Sequence, residues 1–459
     1  MNFIDILNKI DSFIWGPPLL AILVGTGILF TFKLGFLQIT KLPLALKSIF
    51  KSDNNGSGDI SSFGALCTSL AATVGTGNIV GVATAIKAGG PGALFWMWLA
   101  AFFGMATKYA EGLLAIKYRV KDSNGDISGG PMYYIVNGMG EKYKPLAIFF
   151  SISGILVALL GIGTFTQVNS ITDSIKGSFG IDPRITGIVL AILIGFVIFG
   201  GLKSISNVST KIVPFMAGIY LLICATIIIR YFDQVPSAFS LIIKSAFNPV
   251  AAFGGFLGSS VSMAIRNGVA RGVFSNESGL GSAPIAAAAA KTNWPAEQGL
   301  ISMTGTFIDS LIICSLTGFS LILSGVWQSD LNGALMTQAA FSSVLPSVGP
   351  LFLTISLSLF AFTTILGWSY YGERCFEFLF GVKFINLYRI IFVMMVLLGA
   401  FLKLDLVWII ADIVNGLMAL PNLVALIALS PVVVSETKLY MDYLTSKEEF
   451  INPNNIDTI

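Results

Sequence analysis

Long apolar runs separated by short polar loops set the pattern of this chain. The stretches Leu146 to Leu160, Ile185 to Phe199 and Ile390 to Phe401 contain no charged residue. With their flanks they approach the ~20 residues needed to span a hydrocarbon core as a helix. Strands of a membrane barrel would alternate apolar and polar positions over about ten residues each. These runs do not alternate, so helices are expected. Apolar runs and their breaks predict about eleven of them, near residues 13–37, 62–88, 92–119, 145–173, 184–202, 208–232, 250–290, 298–326, 347–380, 385–403 and 406–435. Two are interrupted: the second at Val74-Gly75-Thr76-Gly77-Asn78, the seventh between Gly272 and Gly281.

Composition supports the membrane reading. Of 459 residues 55% are hydrophobic and 11% charged, against about 25% charged in soluble domains. The first residues carry Asp5, Lys9 and Asp11 rather than a basic region ahead of a cleavage site, so the first apolar stretch is read as a retained helix. Cys67, Cys224, Cys314 and Cys375 show no metal-binding spacing and read as small core residues. Histidine is absent, which removes imidazole catalysis, imidazole metal ligands and imidazole proton relays. A net charge of +3 gives no reason to expect a nucleic-acid partner.

Loop charges predict an orientation. Lys41, Lys47 and Lys51 follow the first helix, Arg119, Lys121, Lys142 and Lys144 the third, and Lys203 with Lys211 the fifth. Lys291, Arg374, Lys383, Lys438 and Lys447 continue on that side, and the opposite loops hold fewer: Lys9, Lys87, Lys176, Arg184, Arg230, Lys244 and Lys403. The positive-inside rule makes the richer side cytoplasmic, with the N-terminus outside and the C-terminus inside. The end after Ser446 is polar and expected to be loose.

Counted from the second helix, the breaks fall in core helices one and six, which start on opposite sides. The expectation is an all-α polytopic membrane protein: a five-plus-five inverted repeat with one extra N-terminal helix. Residues 1–61 form the extra helix and a cytoplasmic loop, 62–232 the first half, 233–435 the second, and 436–459 a cytoplasmic tail. Interrupted helices at matching places point to a midplane binding site.

An unpaired backbone group in lipid costs several kcal/mol, so an unwound helix must line a cavity or be buried in protein. Gly75 and Gly77 permit unwinding and expose backbone. Where helix resumes near Asn78, the N–H groups of Thr76, Gly77 and Asn78 form a partly positive end suited to a carboxylate. The carbonyls around Ala71 to Val74, Thr73 among them, suit an ammonium or metal cation. Together they match a zwitterion plus a cation. The alternative is that Gly75, Gly77 and Gly81 form a small-residue packing face.

The run VGTGNIVGVATAIKAGGPGALFWMW, Val74 to Trp98, resembles the signature of the alanine or glycine:cation symporter family, as does RGVFSNESGLGSAP, Arg271 to Pro284. Similarity of pattern covers nearly the whole chain. It departs at Trp294, where the family pattern has histidine. The resemblance implies the fold of the leucine transporter, with sodium between core helices one and eight. The carbonyls of Ala71, Val74 and Phe360 and the hydroxyls of Thr363 and Thr364 are then its ligands. Five neutral oxygens suit a hard monovalent cation, and Na⁺ is favoured over protons. Taken alone, the two threonines read equally as hydroxyls bonded to their own i−4 carbonyls.

Further candidates complete the pocket. Gln167 is a lone amide in an apolar span, able to hold the substrate carboxylate with Phe165 or Thr164 nearby, or to make an interhelical hydrogen bond; the resemblance favours the site. Trp368 lies one turn after Thr364 and would cap a small cavity; its other reading is a packing ring in the interface belt. Met263, Phe274 and Asn276 are candidates to close the pocket. Among charges at membrane depth, Lys108, Glu111, Asp309 and Asp412 lie in or near spans, Arg266 and Arg271 flank the second break, and Glu277 is expected to pair with a basic partner there.

The implied activity is Na⁺-coupled symport of a small neutral amino acid, alanine or glycine, across a cell membrane, with no cofactor besides the coupling ion. A proton-coupled carrier of another small zwitterion on the same fold is the alternative. An enzyme would need clustered histidine, cysteine or carboxylates facing one cavity, and a channel a symmetric pore with filter rings. Neither pattern is present.

Overall fold

Pro17 and Pro18 open the first long helix, Pro17–Lys33, where a missing backbone N–H goes unnoticed because first-turn donors have no helical partner. The computed structural model describes residues 3–50, 56–248, 260–401 and 404–451. Lys51, Lys403, the side chain of Lys447, the predicted start of the seventh helix up to residue 259 and the tail from 452 lie outside the described residues. A separate helix, Phe3–Ile14, precedes the first.

The predicted core helices follow in order. Core one is Ser62–Thr73 and Gly77–Gly89, bent by 52° at the break. Core two is Gly92–Lys117, core four Pro183–Ile198 and core five Gly201–Arg230. Core three divides, against expectation, into Lys144–Leu160 and Phe165–Phe179. Core six is Val261–Asn276 and Ala283–Ala287. Core seven is Pro295–Leu323, core eight Gly349–Phe380, core nine Ile385–Gly399 and core ten Leu404–Ala428. Among the described residues eight helices are long and apolar enough to cross a membrane, or nine with the bent pair of core one counted as one span.

Core two is the centre of the bundle. Its apolar window is 83% buried, whereas those of cores five and nine are 33% and 28% buried. Small residues allow this: a Cβ on Gly104 would stand 2.9 Å from Ser278 of core six, and one on Gly112 would overlap Ser302 of core seven. The outer helices turn Ile188, Phe196, Leu222, Ile229 and Met394 outward, as a lipid-facing surface requires.

Elements outside the predicted spans close the ends. Val120–Lys121 pairs antiparallel with Ile127–Ser128, and its turn is held by Asp122 Oδ1, which accepts from the N–H groups of Asn124 and Asp126. Ile60 bridges to Ala290, tying the start of core one to the end of core six. The Arg119 guanidinium locks that junction with hydrogen bonds of 2.8 Å to the carbonyls of Ala288, Ala290 and Thr292. Helices Val235–Phe247 and Gly333–Val344 lie in the connections between cores five and six and between cores seven and eight.

Of the end expected to be loose after Ser446, residues 447–451 belong to a helix, Ser430–Ile451, and the rest lies outside the described residues. The helix buries Val433 and Tyr440, and Tyr443 stacks on Trp294 at 4.6 Å. Trp294 thus anchors this helix.

Candidate functional site

Core one loses its ladder in a specific way. The N–H of Gly75 goes to Asn78 Oδ1 at 2.9 Å rather than to the Ala71 carbonyl. The N–H of Asn78 goes to the Gly75 carbonyl at 3.2 Å rather than to Val74. The carbonyls of Ala71 and Val74 are thereby released from the i−4 pattern that would have used them. Asn78 is both the cap of the break and its tether, since Nδ2 donates to Asp309 Oδ1 of core seven at 2.7 Å. Thr73 ends the first half, with its hydroxyl on the Ser69 carbonyl at 3.2 Å. Thr76 is fully buried and its hydroxyl makes no hydrogen bond.

Core eight lies against this break. A Cβ on Gly75 would overlap Thr364 Oγ1, and one on Gly367 would stand 2.7 Å from Ala72. The Phe360 carbonyl accepts from Thr363 Oγ1 at 3.0 Å and Thr364 Oγ1 at 2.9 Å. So the hydroxyls do bond their own helix, Thr363 also reaching the Leu359 carbonyl at 3.1 Å; Thr364 stands beside the core-one break at the same time, while Thr363 Oγ1 also meets Met216 Sδ of core five at 3.5 Å. The segments that carry all five expected cation ligands are in contact.

Core six meets core one at Gly77, whose Cβ would fall 3.1 Å from Ser275 Cα and 3.5 Å from Phe274. Its helix ends at Asn276 because Glu277 turns left-handed, φ 56°, followed by Gly279 at 86° and Gly281 at 83°. A non-glycine residue at such φ is uncommon and marks a constrained site. Asn276 caps the break, accepting from the Ser278 N–H at 2.9 Å and donating to Ser310 Oγ at 3.0 Å. The freed N–H groups of Gly279 and Gly281 go to Glu111 Oε1 of core two, which also takes Asn422 Nδ2 of core ten at 2.7 Å. Asp309 accepts from Ser275 and Ser310 on its second oxygen, at 2.9 and 2.8 Å.

The expected pairing of Glu277 with a basic partner is not a direct one: no ion pair to Glu277 forms among the described residues. Its carboxylate accepts from Trp368 Nε1 at 2.9 Å and from the Ser282 hydroxyl, so an indole on core eight holds the broken helix. Basic partnership falls instead to Arg271, which makes a two-pronged pair with Asp412 at 3.2 and 2.9 Å and lies 5.5 Å from the Phe274 ring centre. This pair floors a cavity of about 320 Å³ whose lining includes Asp11, Trp15, Arg266 and Phe274.

Core three adds the side chain whose expected polarity changes. Gln167 Nε2 is used by the Ile162 carbonyl at 2.9 Å, within the break between Leu160 and Phe165. Its Oε1 is buried and makes no hydrogen bond. The free end of this amide is an acceptor, suited to an ammonium and unsuited to a carboxylate. Trp368 flanks the same break, its Cβ 2.8 Å from where a Cβ of Gly163 would sit.

The structure thus brings together the segments bearing Ala71, Thr73, Val74, Gly75, Thr76, Gly77, Asn78, Phe274, Asn276, Phe360, Thr363 and Thr364, with Trp368 and Gln167 at the core-three break. It does not bring Met263, which is 43% exposed in the first turn of core six and lines the cavity of the Arg271–Asp412 pair. Phe165 faces core nine, with a Cβ on Gly399 only 3.2 Å from its ring. Glu111, Asp309 and Ser275 hold the breaks, a role that charge or hydroxyl at membrane depth signals without naming a partner.

The profile of a family described as the sodium:alanine symporter family matches residues 1–454. An uncharacterized transporter of Haemophilus influenzae is 58% identical over 446 residues, 97% of each chain. The sodium/alanine symporter AgcS of Methanococcus maripaludis is 53% identical over 448 residues, covering 96% of this chain and 98% of that one. Among solved structures, MhsT in complex with L-phenylalanine aligns with a TM-score of 0.57 at 12% identity, over 83% of this chain and 99% of that one. At that identity the likeness concerns fold alone, and the fold is that of the leucine-transporter-like carriers.

Proposed function

The chain belongs to the sodium:alanine symporter family, and from that premise we propose that it carries alanine or glycine with Na⁺ by alternating access. It is a multi-pass membrane transporter and not an enzyme. The observation that carries the finer reading is the double diversion of hydrogen bonds at Gly75 and Asn78, which frees the carbonyls of Ala71 and Val74 beside Thr364. Na⁺ takes those carbonyls with the Phe360 carbonyl and the Thr363 and Thr364 hydroxyls. The substrate carboxylate sits on the N–H groups of Thr76 and Gly77, and its ammonium faces the Thr73 carbonyl and Gln167 Oε1.

Both ligands then touch core one, which is how binding one can favour the other: each stabilises the same arrangement of the break. The richer loop charge places the Arg119 junction in the cytoplasm and the Arg271–Asp412 pair outside.

Binding of alanine and glycine to the purified protein, with leucine and glutamate as controls, tests this in Na⁺ and then in K⁺ at fixed pH. Binding of the small pair is expected in Na⁺ and to be at least about tenfold weaker in K⁺, the scale of an ordinary coupling free energy. Equal binding in the two salts would overturn the coupled site.

Size selection provides a second test. Trp368 is 1% exposed and stands between the core-three and core-six breaks. Trp368→Ala is expected to admit side chains of leucine size and to lower stability by about 3–5 kcal/mol, as Trp→Ala changes in cores do. Leucine competition against labelled alanine reads the first effect; unchanged competition would place Trp368 outside the pocket.

A further inference from the structure

Among the described residues two cations are buried, Lys108 and Arg374. Arg374 is matched by Glu373 and Glu377 at 2.8 and 2.6 Å. Lys108 is different: it is 2% exposed in the middle of core two, and its Nζ donates no hydrogen bond. A buried ammonium without a partner is costly unless its surroundings compensate its charge.

The surroundings are the two breaks. Gly104 lies against Ser278, Thr107 is within reach of Gly279, and Glu111 receives the N–H groups of Gly279 and Gly281. Lys108 stands on that stripe, one turn from both Gly104 and Glu111. Core six and the Phe307–Cys314 turn of core seven pack on core two, and the buried carboxylates that cores two, six and seven bring there are Glu111, Glu277 and Asp309. Each is hydrogen-bonded only by neutral donors: backbone N–H and an amide for Glu111, a hydroxyl and an indole for Glu277, an amide and two hydroxyls for Asp309. Neutral donors satisfy lone pairs but bring no net charge, so the positive charge among these three acids is that of Lys108.

The proposed Na⁺ ligands include no carboxylate, and the ion there leaves Asp309 and Glu277 to other charges. Asp309, with the Ser275 and Ser310 hydroxyls on its second oxygen, has the oxygen chemistry of a site for a monovalent cation. What keeps a mobile cation from it is the fixed ammonium in the same low-dielectric space. We propose that Lys108 is a resident counter-ion of the transport core, supplying as part of the chain the charge that a second coupling cation would bring, so that one Na⁺ accompanies each substrate molecule. Lys108 is a positioning residue in this scheme and touches neither the substrate nor the coupling ion. The proposal rests on the Na⁺-symport reading above.

Alanine binding to the purified protein is titrated with NaCl, ionic strength being held constant with choline chloride. The wild-type protein and Lys108→Arg are expected to show a Hill slope of about 1, and Lys108→Met a slope approaching about 2, as a second Na⁺ takes the vacated charge. A wild-type slope of about 2, or a Lys108→Met slope that stays at about 1, overturns the proposal. Wild-type binding that ignores Na⁺ would instead sink the symport reading itself. Should Lys108→Met not fold, Lys108→Met/Asp309→Asn removes one charge of each sign and is expected to restore folding, read as recovery of the thermal transition; failure to restore it also overturns the proposal.

Discussion

Thr364→Ala is expected to weaken alanine binding and its Na⁺ dependence together, each by about 10- to 100-fold, the range by which loss of one polar group at a metal site lowers affinity. The Thr364 hydroxyl lies against Gly75 Cα and 2.9 Å from the Phe360 carbonyl. Its oxygen therefore faces the core-one backbone directly. Removing it takes an oxygen from the cation without disturbing the helix, because the Phe360 carbonyl keeps its bond from Thr363 at 3.0 Å. A weakened cation no longer holds the break in the arrangement that the amino acid needs, so both affinities fall. Thr364→Ser keeps the oxygen and serves as the control. Isothermal titration in Na⁺ series would measure this, and loss of alanine affinity with an unaltered Na⁺ midpoint would separate Thr364 from the ion.

The apolar pattern is a strong guide here because lipid imposes one solution on the backbone. A span must bond its own N–H and C=O groups, so an uninterrupted run reads as helix and a Gly-x-Gly interruption reads as a place where that rule is suspended. Core helices one, two and eight start and end within a few residues of the pattern for this reason. The core-three break is less visible: Gly161 and Gly163 are there to be read, but nothing in the run shows that Gln167 closes it on the Ile162 carbonyl. The orientation of that amide depends on which backbone group the break exposes, and a sequence states only that an amide is present.

Partners across helices are also illegible. Glu277 looks like half of an ion pair because a membrane carboxylate needs compensation, yet its closest compensation is an indole and a hydroxyl. Met263 has the right chemistry and the right helix for the pocket, but lies in the turn that opens to the cavity of the Arg271–Asp412 pair. Helical period places a residue on a face; depth along the axis follows from where the helix breaks, and that point is set by Glu277 and Gly279.

The backbone of core six yields the second large effect. Glu111→Ala is expected to lower stability by about 3–5 kcal/mol, the cost of removing one partner from a buried charged cluster, and to abolish alanine binding. Glu111 Oε1 accepts from Gly279 N at 3.1 Å, Gly281 N at 3.2 Å and Asn422 Nδ2 at 2.7 Å. Gly279 and Gly281 hold positive φ, so their N–H groups point out of any helical ladder and have no way back into one without refolding the break. Alanine would leave the Gly279 and Gly281 N–H groups buried without an acceptor, at about 1–3 kcal/mol for each, and Asn422 Nδ2 with the Gly279 carbonyl alone, and would also deprive Lys108 of its nearest acid along core two. Glu111→Gln keeps an acceptor oxygen and loses the charge, so it is expected to fall between the two. The measurement is the apparent melting temperature in detergent, read beside Na⁺-dependent alanine binding. If Glu111→Ala melts with the wild-type protein, the break is held by core six itself and the carboxylate is a bystander; if it melts early and Glu111→Gln recovers part of the loss, core two is the strut on which the broken helix stands.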